Sequence, residues 1–312
     1  METIRIPNDA TYSPVSLTDL ALIAPLISRV ALGASVPGLV LQTVALSAYA
    51  GSALQDFIAR FGVRPIDFMR EYGSDVRHME VMPEAVRQAE LTVLAERLND
   101  GWTSQRPTLE ELAVIVDRHL TNYIAGVTGQ RVETSTEVRT FSFVQFLFPF
   151  ALGAADILSG DIAIFHDTGV FQPHVLAHEF SHRKGYWREL DAQALAYLAL
   201  TTSDDAVMVQ SALCERLYRN LRALTGEDEQ KYDAAVKGLQ LRSELVPHFL
   251  ELRPAISGGP VADAMRTIYD MRMRLTGQNG ISDYDVGFTN FLYTFETSTR
   301  ANQKPPARGG VH

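Results

Sequence analysis

The chain has a single cysteine, Cys214, among 312 residues. One thiol excludes an internal disulfide and a thiolate zinc cluster within one chain. Such cysteine poverty fits a reducing compartment, and Cys214 itself is expected as a small buried residue in a helix. Basic residues are also scarce: 28 Lys and Arg stand against 37 Asp and Glu, a net charge of -9. Phosphate recognition needs a basic surface, so nucleic acid is excluded as the main partner. Residues 1–13 lack the basic start and apolar run of a secretory leader. Internal repeats and long low-complexity stretches are missing as well. Hydrophobic residues at 46% and charged residues at 21% leave a globular composition, with chain enough for one large domain or two modest ones.

Charge is missing altogether from Val30 to Gly51. That run is long enough to span a bilayer, but Pro37, Gln42 and several Ser and Gly residues hold its hydropathy at the margin. The favoured expectation is a pair of buried helices broken near Gly33–Pro37. Membrane contact through residues 17–51 is the alternative. The location expected is cytoplasmic, with membrane association following from that alternative. The sequence does not set an oligomeric state.

Helix signals are clear beyond residue 62. Pro83 sits at a first turn, and Ala85, Ala89, Leu91, Leu94 and Leu98 form an apolar stripe that Asn99-Asp100-Gly101 ends. Thr108 and Glu111 read as a capping box. Between 130 and 172 the pattern turns extended, through Val132, Thr134, Thr136, Val138, Thr140, Phe141 and Phe143. FVQFLFPF (143–150) is apolar but carries Pro149, which makes a poor central strand. Ile162 to His166 reads as a short strand. Helices are expected from Pro173 to Leu200, Asp204 to Leu224, Lys231 to Leu252, after Gly258-Gly259-Pro260 to Leu275, and Asp283 to Thr297. The tail from Thr299 reads as disordered. The fold class expected is mainly α with a small β element (α+β). The expected division is a hydrophobic helical region 1–62, a catalytic domain 63–298 and a tail 299–312.

Chemistry concentrates in residues 172–200. His178 and His182 are four apart, which on a helix puts both imidazoles on one face, able to share one metal ion. Glu179 follows the first histidine and can reach a metal-activated water as general base. The apolar flanks Val175, Leu176, Ala177 and Phe180 favour a buried helix. A zinc site needs a third protein ligand. Gly185 permits a helix stop, so the chain can send a second helix back past the first. Glu189 is the expected third ligand and Asp191 the fallback. Three residues after the glycine stands Arg188, which cannot ligate; a histidine or aspartate there would have signalled a metzincin. These residues predict a zincin-like core holding one Zn2+ per chain.

HEFSHRKGYWRELDAQALAYLAL resembles the signature of a bacterial family of gluzincin-like zinc peptidases, approximately HELAHQRG, a short spacer, EDEAN and AYLA. His178, Glu179, His182 and Gly185 match, as does Ala196-Tyr197-Leu198-Ala199. Glu189, Asp191 and Ala192 fall on the acidic part, and Gln193 stands where the family has asparagine. Phe148-Pro149-Phe150, Ser203-Asp204-Asp205 and the stretch 268–288 are also similar, so the resemblance covers about residues 140–295. Two departures stand out. The family begins with clear transmembrane helices, where this chain has only 17–51. It also carries an acid soon after its FPF segment, where this chain has Leu152 to Asp156. Related zincins orient a ligand histidine with an Asp or Asn four residues after the ligand glutamate, a role that falls here to Gln193.

Other candidates weigh less. His174 would sit in the first turn, nearly two turns from His182, and His166 would end a strand. Tyr186, Tyr197 and Tyr284 could stabilise an oxyanion, though buried tyrosines are more often core residues with one hydrogen bond. Tyr284 leads, beside the Gly277–Gly280 loop. Arg183, Lys184 and Arg188 are expected to be a solvated basic turn. The residues together predict a zinc-dependent hydrolase acting on a peptide or small amide-containing substrate. The strand near 161–166 is expected to pair with an extended substrate. Two alternatives stay open: a metal-dependent, non-hydrolytic biosynthetic enzyme using zinc or iron on a small molecule, and an inactive scaffold that binds a partner.

Overall fold

A computed structural model describes residues 1–8, 25, 27–140, 152–252 and 259–298. Its chain order is β1 (Glu2–Arg5), α1 (Val36–Arg60), α2 (Phe68–Tyr72), α3 (Glu84–Asp100), α4 (Leu109–Thr128), β2 (Gln130–Glu133), β3 (Arg139–Thr140), β4 (Gly153–Ala155) and β5 (Ile162–Ile164). Then follow α5 (Gln172–Arg183), α6 (Glu189–Thr201), α7 (Ala206–Thr225), α8 (Glu229–Gly238), α9 (Val246–Glu251), α10 (Pro260–Leu275) and α11 (Phe288–Thr297). The architecture is mainly helical with small sheets, as the α+β expectation held. The segment 143–150, much of 17–26 and the tail from Thr299 lie outside the described residues.

Local chemistry sets the boundaries that matter. The Thr108 hydroxyl accepts from the Glu111 N–H, and the Glu111 carboxylate accepts from the Thr108 N–H, so two orphan donors at the start of α4 are met reciprocally. Pro173 opens α5. Beyond Lys184, Gly185 adopts φ +99°. There the Gly185 N–H bonds the His182 carbonyl and the Tyr186 N–H bonds the Ser181 carbonyl, a Schellman turn that halts α5 and reverses the chain into α6.

Two apolar clusters hold the helices. In one, Leu112, Val116, Leu120 and Ile124 of α4 meet Val175, Leu176 and Phe180 of α5, Leu195 and Leu198 of α6, and Phe288 and Phe291 of α11. In the other, Leu91, Leu94 and Leu98 of α3 meet Leu213, Leu217 and Leu221 of α7, with Tyr232 and Phe249. Each large apolar side chain fully buried here contributes about 1.5–3 kcal/mol. Every residue of α5 is buried, although seven of its 12 are polar or charged. Such a helix is tolerated only where its polar groups find partners.

Arg183 and Lys184 show how, and they correct the expectation of a solvated basic turn. Both are fully buried. Arg183 donates to the Gly160 and Ser135 carbonyls, each at 2.7 Å. Lys184 Nζ lies 2.6 Å from Asp117 and donates to Thr134 Oγ1. These side chains fasten α5 to α4 and to the chain around β2. Arg188 alone of the three is exposed.

β1 and β2 pair in parallel. The second sheet runs β3-β5-β4, with β3 parallel and β4 antiparallel to β5. β5 is therefore the central strand, buried at all three positions, and cannot serve as the edge expected to receive substrate. Among the described residues the edges are β3 and β4.

Four helix expectations also shift. The stripe on α3 runs through Arg87, Leu91, Leu94, Ala95 and Leu98, leaving Ala85 and Ala89 exposed, because Arg87 reaches inward to Asn220 and Thr289. The helix expected over 231–252 is broken into α8 and α9, where Gln240 takes φ +51° and Pro247 restarts the helix. The last helix opens with a π-helical turn, Asp283–Gly287, before α11. Lastly, α1 is not a buried helix. Val36, Leu39, Val40, Leu41, Val44 and Leu46 are exposed, and only 11% of its most apolar window is covered. From Val36 to Gln55 the helix carries no charge, so it has no strongly polar face to turn outward and its apolar surface stays uncovered. By length and composition alone, α1 could cross a membrane.

Candidate metal centre

The α5–α6 turn brings the sequence-predicted ligands together. His178 Nε2 and His182 Nε2 are 3.1 Å apart. Glu189 Oε2 lies 3.2 Å from the first and 3.1 Å from the second. All three residues are buried, and this group could hold a metal ion. The i, i+4 spacing supplies the two imidazoles, and the turn at Gly185 sets Glu189 at the first residue of α6, opposite the last turn of α5. Helix dipoles favour this placement: positive charge at a C-terminus and negative charge at an N-terminus are both stabilised.

The donor chemistry fits a cation. His182 Nδ1 lies 2.8 Å from the Tyr186 carbonyl. That carbonyl only accepts, so Nδ1 carries the hydrogen and the lone pair of a neutral ring sits on Nε2. This lone pair points at a carboxylate oxygen and a second ring nitrogen, an arrangement that needs positive charge between them. A proton can partly supply it: burial opposes charge on His182, but the Glu189 carboxylate outweighs burial and raises the imidazole pKa to about 9. Burial likewise opposes charge on Glu189, yet the two imidazoles hold it well below the usual carboxylate range. A tetrahedral zinc with ligands at about 2.0–2.1 Å would place them about 3.3 Å apart. The observed spacings already approach that value.

Glu179 follows on the same helix turn, buried, with its pKa raised first by burial and also by Glu189, against the pull of both histidines. Strand β4 passes directly over it: a Cβ at Gly153 would stand 3.2 Å from Glu179 Oε1. Tyr284 Oη donates to Glu189 Oε2 at 2.7 Å, so this tyrosine belongs to the triad's surroundings.

Other candidates have different places. Asp191 is not in the ligand cluster; burial pushes its carboxyl up to about 7. Gln193 donates to Glu215 Oε1 rather than to a ligand histidine, so the orienting acceptor for His182 is the Tyr186 carbonyl. His174 is buried against Glu215, 4.0 Å away, with its pKa lowered by burial to about 4. Tyr186 donates to the Arg64 carbonyl and Tyr197 accepts from Arg216, both structural bonds. Asp156 closes its own turn, accepting from Ser159 and Tyr49. Cys214 is buried in α7.

Sequence reasoning missed Tyr269. Its phenol donates to Glu189 Oε1 at 2.5 Å and lies 3.0 Å from the Tyr284 hydroxyl. It also missed Trp187, whose ring lies parallel to that of His182 at a centroid distance of 6.4 Å and has the Arg60 guanidinium over it at 5.5 Å. A cavity of about 340 Å³ opens at the N-terminal end of α5, near Trp102, Arg106, Ile164 and Pro173, and none of the three ligand candidates lines it.

A family model described as a protein of unknown function (DUF3810) matches residues 166–293. The matched stretch contains the ligand triad, Glu179 and both tyrosines. No curated protein and no solved structure matches the chain.

The purified chain is expected to carry about one divalent metal ion, measured by elemental analysis. His182→Ala and Glu189→Ala should lose it, and Asp191→Ala should keep it. Metal that survives Glu189→Ala but not Asp191→Ala would move the third ligand to Asp191.

Proposed function

We propose that the chain is a zinc-dependent hydrolase of the metallopeptidase type, with a zincin-like core and a glutamate as third ligand. The observation that carries this reading is the convergence of His178 Nε2, His182 Nε2 and Glu189 Oε2 within 3.1–3.2 Å. Two histidines and one glutamate are a donor set of catalytic zinc sites that keep a fourth position for water or substrate. When bound, zinc supplies Lewis acidity, which makes water acidic enough to ionise near neutral pH and polarises a carbonyl.

The chain's own groups do the rest. Glu179 accepts the proton of the attacking water at its carboxylate and returns it to the leaving nitrogen. Its raised proton affinity suits it to both tasks. The Tyr186 carbonyl fixes the His182 ring and tautomer. Tyr284 holds its hydrogen on Glu189 Oε2, and from there can turn it toward an oxygen that gains charge in the substrate. Its phenol stays protonated, because burial and the neighbouring carboxylate both raise its pKa. The β4 strand beside Glu179 offers an edge for an extended peptide or small amide.

We propose in addition that α1 brings the chain to a membrane. The helix is 25 residues and about 37 Å long, but Tyr49 is tied to Asp156, so the stretch standing free of the body, Val36 to Ala48, is about 20 Å, enough to enter the roughly 30 Å of bilayer hydrocarbon without crossing it. Its side chains carry no charge from Val36 to Gln55, and its charged residues, Asp56 and Arg60, sit at the end joined to the body. Arg60 donates there to the Arg183 carbonyl at the end of α5, so the metal centre would lie near the membrane surface.

Glu179→Gln should keep its zinc and lose hydrolysis of a peptide library by about 10²–10⁴-fold; full activity in that variant would remove the glutamate from the mechanism. In a flotation gradient with phosphatidylcholine vesicles, the full chain should rise with the lipid. A chain that stays at the bottom would show that α1 does not insert.

A further inference from the structure

Three of the four polar groups of Glu189 are held by one stretch of chain that begins 80 residues later. Tyr269 Oη donates to Oε1 and Tyr284 Oη to Oε2, while the Gln278 side-chain carbonyl accepts from the Glu189 N–H at 2.7 Å. Tyr269 lies on α10, Gln278 in the loop after it and Tyr284 in the π-helical turn. Asp270 fixes how these parts fold together. Its Oδ1 accepts from the Ile281 N–H at 2.8 Å, drawing the loop back under the helix. Gly280 makes that approach feasible: it takes φ +90°, and a Cβ there would stand 2.2 Å from Asp270 Oδ1.

Among the described side chains of α10 the inner side is narrow. Met273 is buried, one turn from Tyr269, whereas Ile268, Met271 and Leu275 are exposed. Arg266 reaches Glu227 through an exposed ion pair, and exposed pairs contribute little. Among the described residues, the inward contacts of α10 therefore centre on the polar groups that meet at Glu189.

We infer that Tyr269 is a positioning residue for the metal, and that residues 269–284 form a clasp which must close on Glu189 for a divalent cation to be held. This rests on the zinc-site reading above. Glu189 offers Oε2 toward the two histidines, and a donor on Oε1 fixes the rotation of the carboxylate about its last bond. Groups that orient ligands in this way typically alter metal affinity 10–100-fold. Tyr284 divides the work differently: its oxygen is on the histidine side, where it can also meet substrate. Because coupling is reciprocal, a clasp that favours metal is itself favoured by metal.

The test compares the full-length wild type with Tyr269→Phe, which keeps the ring and removes the hydroxyl. Zinc affinity is read by competition with a chromogenic chelator, and ligand geometry by the visible spectrum of the cobalt(II) form. Zinc affinity should fall about 10–100-fold and the cobalt bands should change. Zinc should slow amide exchange over 269–284 in the wild type and do so less in the variant. Equal affinity with an unchanged cobalt spectrum overturns the clasp while leaving the site standing. A wild type that binds no zinc or cobalt overturns the site reading as well. Should Tyr269→Phe fail to fold, Gln278→Ala loosens the clasp at the Glu189 amide, and unchanged zinc affinity there overturns the inference equally.

Discussion

Three electron-pair donors lie within 3.2 Å of one another, inside the protein and mostly out of water. Left without positive charge between them, they repel. The rest of the site can be understood as structure that keeps them there. The helical period brings two imidazoles to one face, the turn at Gly185 brings a carboxylate back to meet them, and the Tyr186 carbonyl removes the one tautomer of neutral His182 that would relieve the conflict. A proton on His182 partly relieves that repulsion, a cation shared by all three donors relieves it further, and metal affinity would then act as folding free energy.

Keeping such a cluster fixed demands a rigid frame, and α5 has one. Its C-terminal end is tied by Arg183 and Lys184 to three separate parts of the chain. Removing one partner of a buried charge pair typically costs about 3–5 kcal/mol, so the Lys184–Asp117 link strongly resists change. The frame is completed from the other direction by α4, α6 and α11, whose apolar faces meet α5. Against this rigid side stands α10, whose described side chains are mostly exposed and whose Tyr269 reaches inward to Glu189. The two candidate histidine ligands are thus set by packing, and the candidate carboxylate ligand by a neighbour with a more exposed surface.

The parts of the site that were legible in the sequence are those carried by local geometry. His178 and His182 follow from helical spacing, and Glu189 follows from Gly185 as a stop. Gly185 also held the clue to the Tyr186 carbonyl, since a Schellman turn exposes that backbone group, but no side chain advertises it. Tyr269 was not legible, because nothing within 80 residues of Glu189 marks a phenol as its partner. Arg183 and Lys184 looked solvated because their partners, Asp117, Ser135 and Gly160, are distant in sequence. Arg87 broke the apolar stripe of α3 for the same reason. The exposure of α1 was misjudged because hydropathy reports preference for an apolar environment without saying whether protein or lipid provides it. The central place of β5 depends on β3 and β4, whose pairing no periodicity in so short a strand reveals.

The account is tested most directly by X-ray absorption at the metal edge of the full-length protein as purified. It predicts zinc with light-atom ligands only, at about 2.0–2.1 Å, and the outer-shell scattering of two imidazoles. A protein that carries no metal, or a spectrum with sulfur ligands or without paired imidazoles, would contradict it.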